Sequence, residues 1–321
     1  MAQYLIRRVL WAAVLFLATT VVTYVIFFMI PADPAALVCG KNCDSEEVAR
    51  TAHFLGTDRP LHVQYGKFMK RLVWDRSLGR SFATRQNVND IVLNAAPVTA
   101  SLVFGGVIFW MLLAVPIGIL SALRPRSLLD RAAMVFVLIG ISAHPVWIGL
   151  ILAYLFGFKL GVAPISGYCD VINPGTDCGG PVAWAHHMML PWATFAVLFA
   201  ANYTRMIRAQ VMETLHEDYV RTARSKGAPE WLVMRSHVLR NAMLAVVTML
   251  GMDIGLALGG AIFTESVFGL PGLGKVALES IGAFDLPTTQ GVVVFGTIAI
   301  IVFNLFVDIV YAWIDPRIRL S

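Results

Sequence analysis

The sequence predicts an all-α polytopic membrane protein with six spanning helices, a small extracytoplasmic insertion after the first, and a helical cytoplasmic loop between the fourth and fifth. Three observations predict it. Hydrophobic residues make up 58% of the 321 and charged residues only 14%, whereas a soluble chain is near half apolar and a quarter charged. The apolar residues gather into six blocks, each meeting the need for about 20 residues to cross roughly 30 Å of hydrocarbon. Lysines and arginines concentrate in alternate connections, which sets an orientation.

Residues 9–30 form the first block. Arg7 and Arg8 ahead of it invite reading it as a cleaved leader, but the run is longer than the roughly 7–15 residues of a leader core. It ends in Ile30-Pro31-Ala32-Asp33-Pro34, a poor cleavage site, so an uncleaved anchor helix is expected. Residues 31–97 are the sizeable extramembrane piece. A helix is expected over 45–55, with Ser45 as cap and glutamates in its first turn, and another over 61–74. The piece is too small for an enzyme domain and reads as a cap over the mouth of the bundle.

The remaining blocks, 98–123, 132–158, 188–206, 242–263 and 288–314, complete a membrane core over 98–321. Each must be helical, because a lone lipid-facing strand leaves its backbone polar groups unpaired. Pro116 and Pro145 should kink the second and third. Arg7 and Arg8, Arg124, Arg126 and Arg131, the basic run between Arg205 and Arg240, and Arg317 and Arg319 place both termini and the 205–240 loop in the cytoplasm. That topology accounts for the net charge of +5 without a nucleic-acid partner. Cys39, Cys43, Cys169 and Cys178 then all lie outside, where disulfides persist. Four cysteines allow three pairings, and short loop closure favours Cys39–Cys43 and Cys169–Cys178. A zinc site using His186 and His187 competes, but no Cys-x-x-Cys pair is present, and no metal is expected.

Residues 205–240 carry the most information. From Glu213 to Lys226 there is neither Gly nor Pro, so one helix is expected there. Gly227 can end it in the left-handed conformation, and Pro229 suits the first turn of a second helix running to about Asn241. Ala223 and Gly227, four apart, would let another protein approach the backbone, with Arg221, Arg224 and Lys226 available to acidic groups. A basic amphipathic segment on anionic lipid explains the same spacing equally well.

At this point the residues are recognisable. The loop resembles the cytoplasmic coupling loop of ABC-importer permeases, whose motif is Glu-Ala-Ala, three residues, Gly, nine residues, Ile-x-Leu-Pro. The aligned residues here are Arg221, Thr222, Ala223, Gly227, His237, Leu239 and Arg240. Ala223, Gly227 and Leu239 match the general form. Asp218-Tyr219-Val220-Arg221-Thr222-Ala223-Arg224, Lys226-Gly227 and the later His237, Leu239-Arg240-Asn241-Ala242 look like the version in dipeptide and oligopeptide permeases. Tyr4-Leu5 with Arg7-Arg8, then Pro31, Asp33-Pro34-Ala35, is similar to that family's opening, with Ala32 where Gly is usual. Leu190-Pro191, Gly260-Ala261-Ile262 with Glu265, and Pro271-Gly272-Leu273-Gly274 also fit. So do Asn304-Leu305, Val307-Asp308, Tyr311 and Asp315-Pro316-Arg317-Ile318-Arg319. The likeness spans almost the whole chain and is to the first of the two membrane subunits, the one with the larger external insertion; the cysteine pairs are additions to the usual pattern.

The resemblance implies a permease for di- or oligopeptides that lines a path together with a second homologous permease. Two ATP-binding subunits would bind ATP and magnesium and dock on Asp218, Tyr219, Arg221, Ala223, Arg224, Lys226 and Gly227. An extracytoplasmic peptide-binding protein would deliver substrate, and membrane lipid would surround the rest. The chain itself would hold no cofactor. A permease for another solute, such as nickel, is the nearest alternative.

The intramembrane polar residues Asp253, Glu265, Asn304 and Asp308 are expected at the pore or an interface, since ionisable groups within a span are costly. Asp253 as a proton carrier in an ion-coupled transporter is the reading from another class. Gly255, Gly259 and Gly260 suggest a small-residue contact face. Gly269-Leu270-Pro271-Gly272-Leu273-Gly274-Lys275 nearly matches a phosphate-binding loop, but Val276 stands where Ser or Thr must hold magnesium. It reads as a turn. His144 has no nucleophile or acid beside it in sequence, so no enzyme is expected.

Overall fold

A computed structural model describes residues 2–29, 34–39, 43–55, 60–171, 178–258 and 261–314. Among them the regular structure is helical, with isolated bridges pairing Arg80 with Asn87 and Asp170 with Gly179 and no β-strand. Five helices are long and apolar enough to cross a membrane, and a sixth span arises if one sharply bent helix pair counts as a single crossing. The chain is an all-α polytopic membrane protein. It divides into two compact units, one of Met1–Thr99, Leu258–Ile262 and Pro271–Ser321, the other of Ala100–Ala257 and Phe263–Leu270.

In the first unit, α1 (Ala2–Met29) is apolar with threonines inside it. Their hydroxyls donate back to the carbonyls of the preceding turn, Thr19 to Leu15 at 2.8 Å and Thr23 to Thr19 at 2.6 Å, so these hydroxyls are not left bare to lipid. After α2 (Pro34–Cys39), the helix α3 (Ser45–Leu55) begins. Its cap is Asp44 rather than the expected Ser45. The Asp44 carbonyl accepts from Val48 N–H at 3.0 Å and its carboxylate from Ser45 N–H at 2.7 Å. Cys39 and Cys43 are disulfide-bonded between the two helices.

Helix α4 (Leu61–Val73) docks on α1. Tyr24, Tyr65 and Phe68 form an aromatic cluster, and the Tyr24 hydroxyl donates to Gln64 Oε1 at 2.9 Å. Val294 of α14 (Leu286–Ile314) packs into the same cluster. A second core joins Val88, Val92 and Ala95 of α5 (Val88–Leu123) to Leu273 of α13 (Leu273–Gly282) and to Val292. Asp285, just before α14, is buried. It accepts from Ser81 Oγ at 2.5 Å, Phe82 N–H at 2.9 Å and Thr288 Oγ1 at 2.7 Å. These bonds fasten the 80–87 loop to the start of the last span.

The second unit is organised around α8 (Pro181–Leu215), which runs through Pro191. Glycines of α5 let it approach: a Cβ on Gly105 would run into Trp192, and one on Gly118 would lie 2.8 Å from Ile207. Small residues at such crossings permit close backbone packing. Trp110 is fully buried and stacks on Phe199 at 4.6 Å. Helix α6 (Leu128–Ser142) also packs on α8, with Gly140 against Ala201.

The third block departs most from expectation. One kinked span was expected over 132–158. The structure ends α6 at Ser142, begins α7 at Pro145 (Pro145–Leu152), and turns the axis by 111° between them before the π-helical π1 (Ala153–Lys159). Ala143 and His144 are extended, ψ 135 and 140, and at His144 the following proline disfavours the helical region. The second block starts ten residues before its apolar stretch, at Val88. Polar Asn89 hid that turn, and it is used: its side chain accepts from Leu78 N–H at 2.7 Å and donates to the Arg76 carbonyl at 2.7 Å.

Candidate functional site

The connection between the fourth and fifth spans is not one helix over 213–226, as its composition suggested, but two separated by a corner. Helix α8 ends at Leu215, Glu217 is extended at φ −67, ψ 146, and α9 (Asp218–Ser225) follows. No Gly or Pro marks the corner. What fixes it is packing: α9 lies on the π-helical π2 (Val233–Leu239), and Val220 is its one fully buried side chain. Arg221, Thr222, Arg224, Ser225 and Lys226 are exposed, Tyr219 is on the edge of exposure, and Ala223 is half-buried.

Gly227 ends α9 in the left-handed region at φ +79. Its N–H donates to the Arg224 carbonyl at 2.9 Å, and Ala228 N–H reaches back to the Ala223 carbonyl at 3.3 Å. This is a Schellman cap, with Ala223 and Gly227 at its defining positions. The two residues therefore do not share a helix face, since the helix has ended before Gly227. Their spacing is that of a stop signal. The space around a Cβ built on Gly227 is open within this chain.

Two contacts hold the turn. Arg224 meets Glu230 through two prongs, Nε to Oε1 at 2.8 Å and Nη2 to Oε2 at 3.3 Å. Asn241 Nδ2 donates to the Tyr219 hydroxyl at 2.7 Å. The Asp218–Arg221 pair, at 3.8 Å and largely exposed, adds little. Pro229 precedes α10 (Glu230–Leu232), which continues through π2 into α11 (Arg240–Leu258) as one path over Glu230–Leu258. The second helix thus does not stop near Asn241 but runs without a break into the fifth span. A π-helical turn within a helix is rare and recurs at functional sites.

The sequence reading missed one pair beside this loop. Asp130, 4% exposed, accepts from Arg208 Nε at 2.7 Å and Nη2 at 3.0 Å, from Ser121 Oγ, and from Arg126 N–H at 2.8 Å. It joins the end of α5, the 124–127 turn and α6 to α8, ten residues before Asp218. Its signal was an acid three residues after Ser127, the cap of α6, whose side chain accepts from the Asp130 N–H.

The other expected residues are dispersed. Asp253 is half-buried on α11 and accepts from the Tyr203 hydroxyl at 2.7 Å, so it is partnered inside its own chain. Glu265 is fully buried on α12 (Ile262–Phe268), and Asn304 is exposed on α14. The Asp308 side chain, Gly259, Gly260 and residues 315–319 lie outside the described residues. Gly269, at φ +67, turns the chain from α12 toward α13, whose cap is Gly272, so a helix and not a strand precedes the phosphate-loop look-alike. Cys169 is disulfide-bonded to Cys178. Among the described residues, two groups bring Cys, His or acid atoms within reach of one ion: Cys169, Cys178 and His187, and Cys39, Cys43 and Glu47.

Comparison with known proteins adds three findings. Residues 114–320 match the family described as binding-protein-dependent transport system inner membrane component, and residues 1–103 match the N-terminal region of such membrane components. The chain is similar to a di/tripeptide transport system permease protein of Pseudomonas aeruginosa, 35% identical over 335 residues and 99% of each chain. It is also similar to a dipeptide transport system permease protein of Alkalihalophilus pseudofirmus, 33% identical over 334 residues, 99% of this chain and 100% of that one.

Proposed function

The chain belongs to the family of binding-protein-dependent transport system inner membrane components, and from that premise we propose that it is a permease subunit of an ATP-driven importer of di- or oligopeptides. The substrate class rests on the relatives, which are named as peptide permeases along their full length. A second homologous permease completes the path. Two ATP-binding subunits supply the energy, and an extracytoplasmic binding protein supplies the peptide. Both termini and the α9 loop face the cytoplasm, following the arginine-rich connections.

The observation that carries the reading is the short, cation-faced α9, rigidly capped and braced yet joined to the fifth span without a break. In the proposed cycle, ATP closes the two ATPases. They carry α9 with them, α9 pulls π2 and α11, and the bundle alternates the side to which it opens. The chain contributes no catalytic residue to ATP hydrolysis. Its role is mechanical, and its cationic face suits an acidic groove on the ATPase.

Co-purification tests this. The tagged chain, expressed with its neighbouring genes and extracted in mild detergent, should retain a second permease and ATP-binding subunits. Bulky residues at both Ala223 and Gly227 should release the ATP-binding subunits and leave the permease pair. A chain that purifies alone or only with itself overturns the proposal.

A further inference from the structure

We infer that the exposed face of α4 is a binding surface for the headgroups of anionic phospholipid, holding this part of the 31–97 piece down on the bilayer. Such a surface requires only that the chain cross a membrane, whatever it carries. The depth at which α4 docks and the residues on its far face both point there.

The apolar stretch of α1 covers Arg7–Ile26. Thr20 and Tyr24 lie six and two residues inside its far end, about 9 Å and 3 Å at 1.5 Å per residue. Helix α4 docks on both. The Tyr65 hydroxyl is 3.0 Å from Thr20 Oγ1, and the Tyr24 ring lies 5.5 Å from Tyr65 and 5.9 Å from Phe68. Val294, in the same cluster, is eight residues inside the Leu286–Val307 stretch of α14. Val21, Val22, Val25 and Ile26 leave the same turns of α1 exposed and apolar. Helix α4 therefore lies against the apolar depth of two spans, not above them in water.

The face turned away from the dock is cationic. Lys67, Lys70, Arg71 and Trp74 stand at i, i+3, i+4 and i+7, one stripe of a helix, and all are exposed, Trp74 by 80%. Trp74 N–H donates to the Lys70 carbonyl at 2.8 Å, so the stripe holds to its last residue. Among the described residues none of the three cations is in an ion pair, whereas the exposed Arg50, Arg221 and Arg224 each meet an acid. From Lys67 to Arg85 six cations face one acid, Asp75.

Cations and a tryptophan on one face of a helix at this depth fit the headgroup layer. Lysine and arginine stems run along apolar surface and carry their charge out to the phosphates. Tryptophan favours the same level, with its ring against the acyl chains and its N–H toward water. Helices that lie in the interface combine a basic face with such anchors. Anionic lipid is preferred over zwitterionic lipid because no acid offsets the three charges. A soluble acidic partner would account for the charge but not for the depth, since it would have to reach a helix docked beside Thr20.

The test places the full chain in nanodiscs of phosphatidylglycerol and phosphatidylcholine in equal parts, with brominated acyl chains on one lipid or on the other. Bromine quenches nearby tryptophan. The chain has eight tryptophans, so the Trp74 signal is taken as the difference from Trp74→Phe. Both lipids should quench it, and the pair of preparations should report phosphatidylglycerol enriched about 5-fold there, what one cation at a membrane surface supplies. Lys67→Gln with Lys70→Gln and Arg71→Gln should abolish the enrichment while Trp74 stays quenched. Arg50→Gln, on α3, should leave it unchanged. If the triple variant does not insert, salt on the unaltered chain decides: about 1 M, where the screening length is about 3 Å, should remove the enrichment. Trp74 open to aqueous iodide and unquenched by either lipid would assign the face to a soluble partner and overturn the proposal. Equal quenching by the two lipids, or an enrichment that survives the triple variant or the salt, overturns it as well.

Discussion

Gly227 can be important for two physical reasons, and a side chain tells them apart. At φ +79 any L-residue pays about 1–2 kcal/mol of left-handed strain, which Asn tolerates better than most. A partner packed against the bare backbone would instead reject every side chain. If the cap is the whole role, Gly227→Asn should keep ATP hydrolysis coupled to import in the reconstituted complex while Gly227→Val uncouples it. If both uncouple, close approach is what matters. Asp130 is a second residue-scale case. Removing one partner of a buried pair costs about 3–5 kcal/mol, and Arg208 retains 25% exposure, so the lower end applies. Asp130→Asn should lower stability by about 3 kcal/mol in a denaturant melt of the solubilised chain. Asp130→Asn with Arg208→Gln should recover part of the loss, because no bare charge then remains.

At the scale of elements, the break between α6 and α7 has a local cause. Pro145 removes an N–H and keeps His144 extended. Pro145→Ala lifts that restriction. Spin labels at Leu138 and Leu150, both exposed, should then move apart toward about 18 Å, the length of twelve residues of straight helix. An unchanged distance would mean that packing holds the corner, as it does at Glu217. That contrast explains what the sequence could show. Blocks of apolar residues disclose spans because lipid demands them, and Gly227 and Pro229 announce a turn because their backbones permit little else. The corner before Asp218 was illegible, since only the burial of Val220 decides it. The early start of α5 was hidden because Asn89 serves backbone groups 11 and 13 residues away. In the loop itself the turn at Gly227 was legible, but the reason for the Ala223–Gly227 spacing was not: two small residues four apart look alike as a contact face and as the two ends of a cap.

For the whole molecule, the exposed surface of the spans is apolar, including Leu10 and Trp11 of α1, Leu112 of α5, Leu256 of α11 and Val302 and Phe306 of α14. Such a surface requires lipid or a second membrane subunit over it. The proposed topology is open to direct test. Alkaline phosphatase fused after Gly161 should be active, because it is exported, and the same enzyme fused after Lys226 should be inactive. A fluorescent protein on the C-terminus should mature in the cytoplasm. The reverse pattern would place α9 outside, away from ATP, and end the importer reading for this loop.

The bond between Ser81 and Asp285 spans 204 residues of sequence. At a synthesis rate of about 5–20 residues per second, Asp285 is made roughly 10–40 s after Ser81. Throughout that interval the 80–87 loop has been made but its acceptor is not yet in existence. Its shape is therefore among the last to be completed, and a ribosome that stalls short of the final span leaves behind a chain whose 80–87 loop was never fastened.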